Sequence, residues 1–146
     1  MGLRAQQIAQ QDYDCLAKLL AENALMTDDL AGENKRFFAF CDDQGWRVGV
    51  GGMEIYGDHA LLRSFMTVSA HRGEGKGAEM LNLLLAQAKD AGARTIYLFT
   101  EGAEGFFAKH GFEAMPREEA PATIKTSDQY RVHCSDDAIF MTRKLG

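Results

Sequence analysis

Three glycines alternate with charged residues in the stretch SFMTVSAHRGEGKGAEMLNLLL. The residues before the glycines are typical of a strand, and the residues after them are typical of a helix. A helix N-terminus offers unpaired N–H groups and a partial positive charge, and glycine lets a phosphate approach them closely. The sequence therefore predicts a phosphate-binding turn that contains three glycines and three cations: Gly73, Gly75, Gly77, His71, Arg72 and Lys76.

Two common phosphate-binding motifs are weak explanations of this turn. A Walker A motif needs glycine where Ala70 stands and serine or threonine where Gly77 stands. The dinucleotide fingerprint is matched, with Ala78 at its last position and Glu101 near the distance of a ribose-binding acid. This second motif is badly placed, because antiparallel strands are expected before it and the chain contains one βαβ unit.

The elements around the turn predict that βαβ unit within a mixed sheet. Strands are expected in RFFAFC, WRVGVGGMEIY and HALLRSFMTV, with Gly57 and Asp58 as a hairpin turn between the last two. Leucines at helical spacing predict the helix after the glycines, and TIYLFT is the next strand. Two strands joined through a helix in this way are parallel.

The remaining elements complete a single domain. We expect a first strand over residues 3–9, a helix after Asp12, a helix in AEGFFAKH, a strand from Phe112 and a closing strand in AIFMTRKL. TDDLAGENK is a short helix or a loop, and a long polar connection precedes the closing strand. Gly51 and Gly52 predict a bulge or a close backbone approach. The expected fold is α/β (α+β), with one domain over residues 1–146 and a mostly antiparallel sheet.

Composition excludes several classes of function. With 146 residues, 46% of them hydrophobic, the chain can bury one ordinary core. Its net charge of -5 disfavours nucleic acids and anionic membranes as partners. The three cysteines have no CxxC spacing, so neither a disulfide framework nor a zinc site is indicated. No apolar leader or span is present, and a cytoplasmic location is expected.

A third motif, Arg or Gln followed by x-x-G-x-[GA], is matched by Arg72, Gly75 and Gly77. With the βαβ unit and the FFAKHGF helix end, this sequence resembles the GNAT superfamily of N-acetyltransferases over nearly the whole chain. GMEIYGDHALLRS and YLFTEGAEGFFAKHGF are similar to the small amino-acid acetyltransferase type, including its arsenic-resistance-associated branch. The resemblance implies acetyl-CoA as co-substrate, no metal, splayed central strands and helices on both faces of the sheet.

The resemblance also implies the residues that bind acetyl-CoA. Backbone groups of Phe65, Met66 and Val68 face the pantetheine, and the glycine turn wraps the pyrophosphate. An amide of Met66, Thr67 or Val68 is expected to contact the oxyanion. The full implied set is Phe65, Met66, Thr67, Val68, Arg72, Gly73, Glu74, Gly75, Lys76, Gly77, Ala78, Thr100 and Phe107.

Transfer of an acetyl group to an amine needs a base that removes the ammonium proton. Glu54 is the candidate, because alternation with Met53 and Ile55 places it on the opposite face of a strand that pairs with the cofactor strand. It would act directly or through water. The alternative is an ordinary solvated glutamate.

Arg63 is the candidate for binding the acceptor, because a guanidinium binds a carboxylate through two hydrogen bonds. Lys125 and Arg131 assist if their segment folds over the site. A small amino-acid-like amine is the expected substrate, and protein tails are an alternative. Arg63 is equally expected to pair with Glu54 or another acid in the sheet. Exposed edges of a small sheet favour a homodimer.

One position departs from the family pattern. Many members have a tyrosine as general acid four residues before the glycine of the GF pair, where this chain has Phe107. Either the thiolate leaves directly, or Tyr130, His133 or Cys134 supplies the proton. The substitution also leaves open a non-catalytic acetyl-CoA sensor or regulatory module.

Overall fold

The computed structural model describes residues 3–22, 34–45, 47–67, 76–127, 130–131 and 138–145. The strands are β1 (Arg4–Gln7), β2 (Lys35–Cys41), β3 (Arg47–Tyr56), β4 (His59–Thr67), β5 (Thr95–Thr100), β6 (Glu113–Ala114) and β7 (Ile139–Lys144). The helices are α1 (Tyr13–Glu22), α2 (Lys76–Asp90), α3 (Glu104–Lys109) and α4 (Ala122–Lys125), with 3-10 turns at Gln10–Asp12 and Arg117–Glu119. In these ranges no helix has the length and apolar character that crossing a bilayer requires.

The strands form one seven-stranded sheet in the order β1-β2-β3-β4-β5-β7-β6. Only β4 and β5 pair in parallel, and α2 connects them; the other described neighbours are antiparallel. This confirms the predicted mixed, mostly antiparallel sheet with its βαβ unit. The last strand, β7, lies between β5 and β6, so the end of the chain completes the sheet beside β5.

The hairpin between β3 and β4 forms as the sequence predicts. Tyr56 pairs with His59, which leaves Gly57 and Asp58 as the two-residue turn. Gly57 has a φ of 64°, in the left-handed region that glycine adopts without steric cost. This turn sets the register in which residues 52–56 of β3 pair with residues 59–63 of β4.

Helices cover both faces of the sheet, as predicted. The α2 face is packed with residues of that helix and alternate residues of the strands, among them Met53, Leu62, Met80, Leu81, Leu84, Leu85, Ala88, Ile96 and Leu98. On the other face, Leu16 and Leu20 of α1 pack against Phe37 and Val50. Beside them, Ile124 of α4 packs against Leu61, Tyr97 and Phe140.

The described part of the connection between β6 and β7, residues 115–127 and 130–131, contains more regular structure than its polar sequence indicates. It contains a 3-10 turn and α4, and Ile124 is fully buried in the sheet face that α1 also covers. A helix of four residues is too short to show a hydrophobic period, so the sequence carries no signal for it. Residues 115–127, the described first part of the connection, therefore form a layer that packs on the sheet.

Replacing Ile124 with Ala should therefore lower the free energy of unfolding by about 2–5 kcal/mol, because the change leaves a cavity against Leu61 and Tyr97. Lys125→Ala, at the exposed neighbouring position, is the control and should stay within about 0.5 kcal/mol of wild type. Urea denaturation measures both. Equal stabilities for the two variants would contradict the packing of this connection on the sheet.

Candidate active site

The strands β4 and β5 lie side by side at first and then separate. Residues 59–61 pair with residues 95–97, and within the described ranges no later residues of the two strands pair. Both strands nevertheless continue, β4 to Thr67 and β5 to Thr100. A gap therefore opens between two central strands, and β5 does not cover the edge of β4 along it.

A β-bulge interrupts β4 beside this gap. One residue of β3, Gly51, faces two residues of β4, Ser64 and Phe65. The irregularity predicted at Gly51 and Gly52 is thus confirmed, with the extra residue in β4. Ser64 has a φ of 55° and is the one non-glycine residue with positive φ in the described chain. That conformation costs an L-residue about 1–2 kcal/mol.

The bulge reverses the alternation of side chains along β4. Leu62 and Phe65 both pack on the α2 face, although three positions separate them. Met66 packs on the face that α1 covers. Without the extra residue, Leu62 and Phe65 would lie on opposite faces. The bulge therefore decides which side chains and which backbone groups of β4 face the gap.

Glu54 and Arg63 form a buried ion pair on the face that α1 and α4 cover. Arg63 Nη1 lies 2.8 Å from Glu54 Oε2, and the exposed fractions of the two side chains are 0% and 1%. The Tyr56 hydroxyl donates a hydrogen bond to Glu54 Oε1. Met53 and Ile55 pack on the opposite face, as the alternation predicts. Both carboxylate oxygens accept hydrogen bonds, as burial of a charge requires.

The Arg63 guanidinium also contacts Phe37 and Ser64. Its central carbon lies 5.4 Å from the centroid of the Phe37 ring, and its Nε donates to Ser64 Oγ at 3.2 Å. Phe37 reaches this position because Gly52 has no side chain: a Cβ there would lie 2.5 Å from Phe37 Cδ1. Of the two roles expected for Arg63, pairing with Glu54 is present in the structure.

Two tyrosines on this face keep their protons at neutral pH. Tyr13 of α1 packs edge-on against Phe37, with ring centroids 5.4 Å apart, and burial raises the pKa of its hydroxyl. Burial, and then the negative charge of Asp58, raise the pKa of Tyr97. Neither hydroxyl is suited to act as a base.

Phenylalanines pack on the α2 face where β4 and β5 separate. The Phe107 ring lies 6.0 Å from Phe65 and 5.6 Å from Phe112, measured between centroids, and the residue is buried. Phe106 stacks on Phe65 at 6.2 Å and lies 3.4 Å from where a Cβ of Gly77 would be. These contacts join β4 to the first turn of α2. Phe107 serves as packing and has no proton to donate.

The sequence profile of the Acetyltransferase (GNAT) family matches residues 4–112. This chain belongs to the GNAT family. As a member of this family it is an acetyltransferase. A search of curated proteins gave no match.

Solved structures of several acetyltransferases share the fold. N-acetylglutamate synthase from Neisseria gonorrhoeae, complexed with coenzyme A and N-acetyl-glutamate, matches with a TM-score of 0.77 and 16% identity over 100% of this chain and 36% of its own. A GNAT acetyltransferase from Staphylococcus aureus matches with a TM-score of 0.75 and 16% identity, over 99% of this chain and 100% of its own. A Vibrio cholerae spermidine N-acetyltransferase chimera matches with a TM-score of 0.72 and 18% identity, over 99% of this chain and 96% of its own. This chain spans about a third of the synthase's length.

The residues that the sequence resemblance implies for acetyl-CoA binding are partly within the described structure. Val68, Arg72, Gly73, Glu74 and Gly75 lie outside the described residues. The others surround the gap: Phe65, Met66 and Thr67 in β4, Lys76, Gly77 and Ala78 in the first turn of α2, Thr100 at the end of β5, and Phe107 in α3. An exposed strand edge beside a helix N-terminus fits an extended amide chain that ends in phosphates.

The connection before β7 contributes to the same end of the sheet. Arg117 lies over the Phe99 ring, with its guanidinium carbon 5.7 Å from the centroid. Lys125 and Arg131, expected to assist acceptor binding, have exposed side chains. Arg117 is therefore a basic residue of this connection that packs on β5, and it was not predicted from the sequence.

One of the three candidate general acids is described. Tyr130 is half-buried, its ring lies 6.1 Å from that of Phe99, and its backbone N–H donates to Ser127 Oγ at 3.1 Å. His133 and Cys134 lie outside the described residues. Tyr130 thus stands near the end of β5, on the face opposite Phe107.

Tyr56 and Ser64 were also not predicted from the sequence to take part in the site. Tyr56 had a signal, because a residue two positions after Glu54 in a strand lies on the same face. Ser64 had none, because serine is not a residue type that indicates positive φ. In the described part of the chain, no group of three His, Cys, Asp or Glu side chains is placed to hold a metal ion.

The buried pair predicts a strong coupling between Glu54 and Arg63 in stability. Glu54→Leu or Arg63→Met alone should cost about 3–5 kcal/mol, because each leaves an uncompensated buried charge. The double variant should regain most of that loss, since apolar groups of similar size replace both charges. Chemical denaturation of the four proteins gives the coupling energy. Additive losses in the double variant would contradict a direct interaction in solution.

Proposed function

We propose that this enzyme transfers the acetyl group of acetyl-CoA to the amine of a small amino-acid-like acceptor by direct attack on the thioester. The observation that carries the proposal is the buried Glu54–Arg63 pair beside the bulge, where β4 and β5 separate. It puts a carboxylate and a guanidinium next to the strand edge that faces the gap. The small amino-acid type, including the arsenic-resistance-associated branch, is the finer assignment that we propose.

Acetyl-CoA, when bound, supplies an acetyl group activated as a thioester. We propose that the backbone of Phe65, Met66 and Val68 holds its pantetheine along β4, and that the turn from Arg72 to Ala78 holds its pyrophosphate. Thr100 and Phe107 border the gap from β5 and α3. The separation of the strands after residue 61 supports this placement, because it leaves room beside β4.

Glu54 is the proposed base, directly or through a water molecule. A carboxylate has about four lone-pair positions, and the contacts from Arg63 and Tyr56 occupy one on each oxygen. A further lone pair of this carboxylate is the proposed acceptor of the ammonium proton. The pair also holds the carboxylate in one orientation, which general base catalysis requires.

The negative charge that develops on the acetyl oxygen needs a backbone donor. We propose an N–H group of Met66, Thr67 or Val68 for this role. Support comes from the bulge, because it changes the direction of the backbone groups that follow it in β4.

Arg63 is the proposed partner for a carboxylate of the acceptor. Glu54 Oε2 and Ser64 Oγ each accept one of its five N–H donors. An acceptor carboxylate would bind the guanidinium in exchange for part of its present contacts. N-acetylglutamate synthase, which shares the fold at 16% identity, is complexed with N-acetyl-glutamate. An acceptor with a carboxylate is therefore compatible with this fold.

Phe107 leaves the departing sulfur without the family's usual acid. We propose that the thiolate leaves directly or receives its proton from Tyr130, since the described Tyr130 lies near the end of β5. A single N-acetyltransferase domain over residues 1–146, a homodimer and a cytoplasmic location stay predictions from the sequence.

The test is release of free thiol from acetyl-CoA across a panel of amino acids, amino-acid analogues and polyamines. We expect turnover with a narrow set of amino acids. Glu54→Gln should lower kcat by about 100-fold or more, because the amide keeps the shape of the side chain and cannot accept the proton. The KM for acetyl-CoA should change little.

Glu118→Gln is the matched control, since Glu118 is exposed in the connection and should keep wild-type kinetics. Turnover of polyamines without amino acids would refute the acceptor class. Full activity of Glu54→Gln would refute its role as base. Binding of acetyl-CoA without turnover of any acceptor would favour the alternative hypothesis, a non-catalytic acetyl-CoA sensor or regulatory module.

A further inference from the structure

We propose that Arg63 is a positioning residue that holds the bulge of β4 by linking the Glu54 carboxylate to the Ser64 hydroxyl. This inference deepens the proposed function, on which its catalytic consequence rests. It applies whether or not Arg63 also contacts the acceptor. The residues that carry it are Ser64, Arg63, Glu54 and Tyr56, in that order along one chain of hydrogen bonds.

Ser64 needs an external constraint. Serine lacks the freedom of glycine at positive φ, and such residues persist where the surrounding structure imposes the conformation. The Arg63 Nε donates to its Oγ at 3.2 Å. A donor that is held from elsewhere can therefore select the observed backbone conformation over an ordinary extended one.

Arg63 is held by an ion pair, by an aromatic ring and by the burial of its side chain. Glu54 Oε2 accepts from its Nη1 at 2.8 Å, the Phe37 ring lies 5.4 Å from its central carbon, and the side chain is buried. Tyr56 in turn donates to the second oxygen of Glu54. The guanidinium is planar and rigid, so a fixed Nη1 also fixes Nε. The link to Ser64 therefore starts from an immobile group.

The bulge controls the backbone that borders the gap. One extra residue shifts the alternation of N–H and C=O groups along β4, as it places the side chain of Phe65 on the same face as that of Leu62. If Ser64 returned to an extended conformation, residues 65–67 would turn different groups toward the gap. Catalysis would then lose its backbone donor without loss of any catalytic side chain.

The test compares Arg63→Lys, Ser64→Ala, Ser64→Gly and the double variant Arg63→Lys/Ser64→Gly. Lysine keeps a cation beside Glu54 and loses the planar fork that reaches Ser64. Arg63→Lys and Ser64→Ala should each speed amide hydrogen exchange of residues 64–66 by about tenfold or more in the ligand-free protein. In the double variant, glycine adopts positive φ unaided, and exchange should return most of the way to wild type.

Activity gives the second readout. Arg63→Lys should lower kcat by about tenfold or more, and adding Ser64→Gly should recover a substantial part of that loss. If Arg63 only bound the acceptor, Arg63→Lys would raise the KM for the acceptor, and adding Ser64→Gly would not recover activity. Arg94→Lys, at an exposed position before β5, is the matched control.

Unchanged exchange at residues 64–66 in Arg63→Lys would overturn the inference, and so would a kcat that Ser64→Gly fails to recover. Absence of turnover in the wild type would refute the proposed function by itself. Hydrogen exchange would still decide whether Arg63 holds the bulge, since that measurement needs no acceptor and no acetyl-CoA.

Discussion

Neighbouring strands at the centre of a sheet ordinarily hydrogen-bond along their shared length, because a buried N–H or C=O group without a partner costs free energy. Here β4 and β5 pair over three residues and then diverge, although both strands continue. The β3 strand keeps β4 in the sheet, and β7 does the same for β5. The gap is thus supported from both sides, and an extended ligand with amide groups can take the place of the missing strand contacts.

A second constraint lies directly behind the gap. Burial of Glu54 and Arg63 costs desolvation energy that their mutual attraction repays only with good geometry, so such a pair is weak evidence for stability. The ion pair matters here because it fixes the orientation of both side chains. The carboxylate is held from both oxygens, and the guanidinium reaches the strained residue of the bulge. One small network therefore connects the candidate base to the backbone that borders the gap.

The two faces of the sheet differ in chemistry, because one packs aromatic side chains and the other buries charged ones. On the α2 face, phenylalanines from β4 and α3 pack together and reach the first turn of α2 at Gly77. On the other face, α1 and the connection before β7 enclose the charged network and the end of β5. The glycine turn predicted to bind phosphate precedes α2, and Arg63, the proposed partner of the acceptor carboxylate, lies on the other face.

Sequence alone determined what depends on neighbouring residues. Helical spacing placed α2, the Gly57-Asp58 turn set the β3–β4 hairpin, and alternation put Glu54 opposite Met53 and Ile55. The partner of Arg63 stayed open, because nine positions separate it from Glu54 and the register with its bulge decides whether they meet. The positive φ of Ser64 and the burial of Ile124 were likewise decided by tertiary structure. Local patterns report which face a residue occupies, whereas contacts across strands depend on register and strain that arise when the whole sheet assembles.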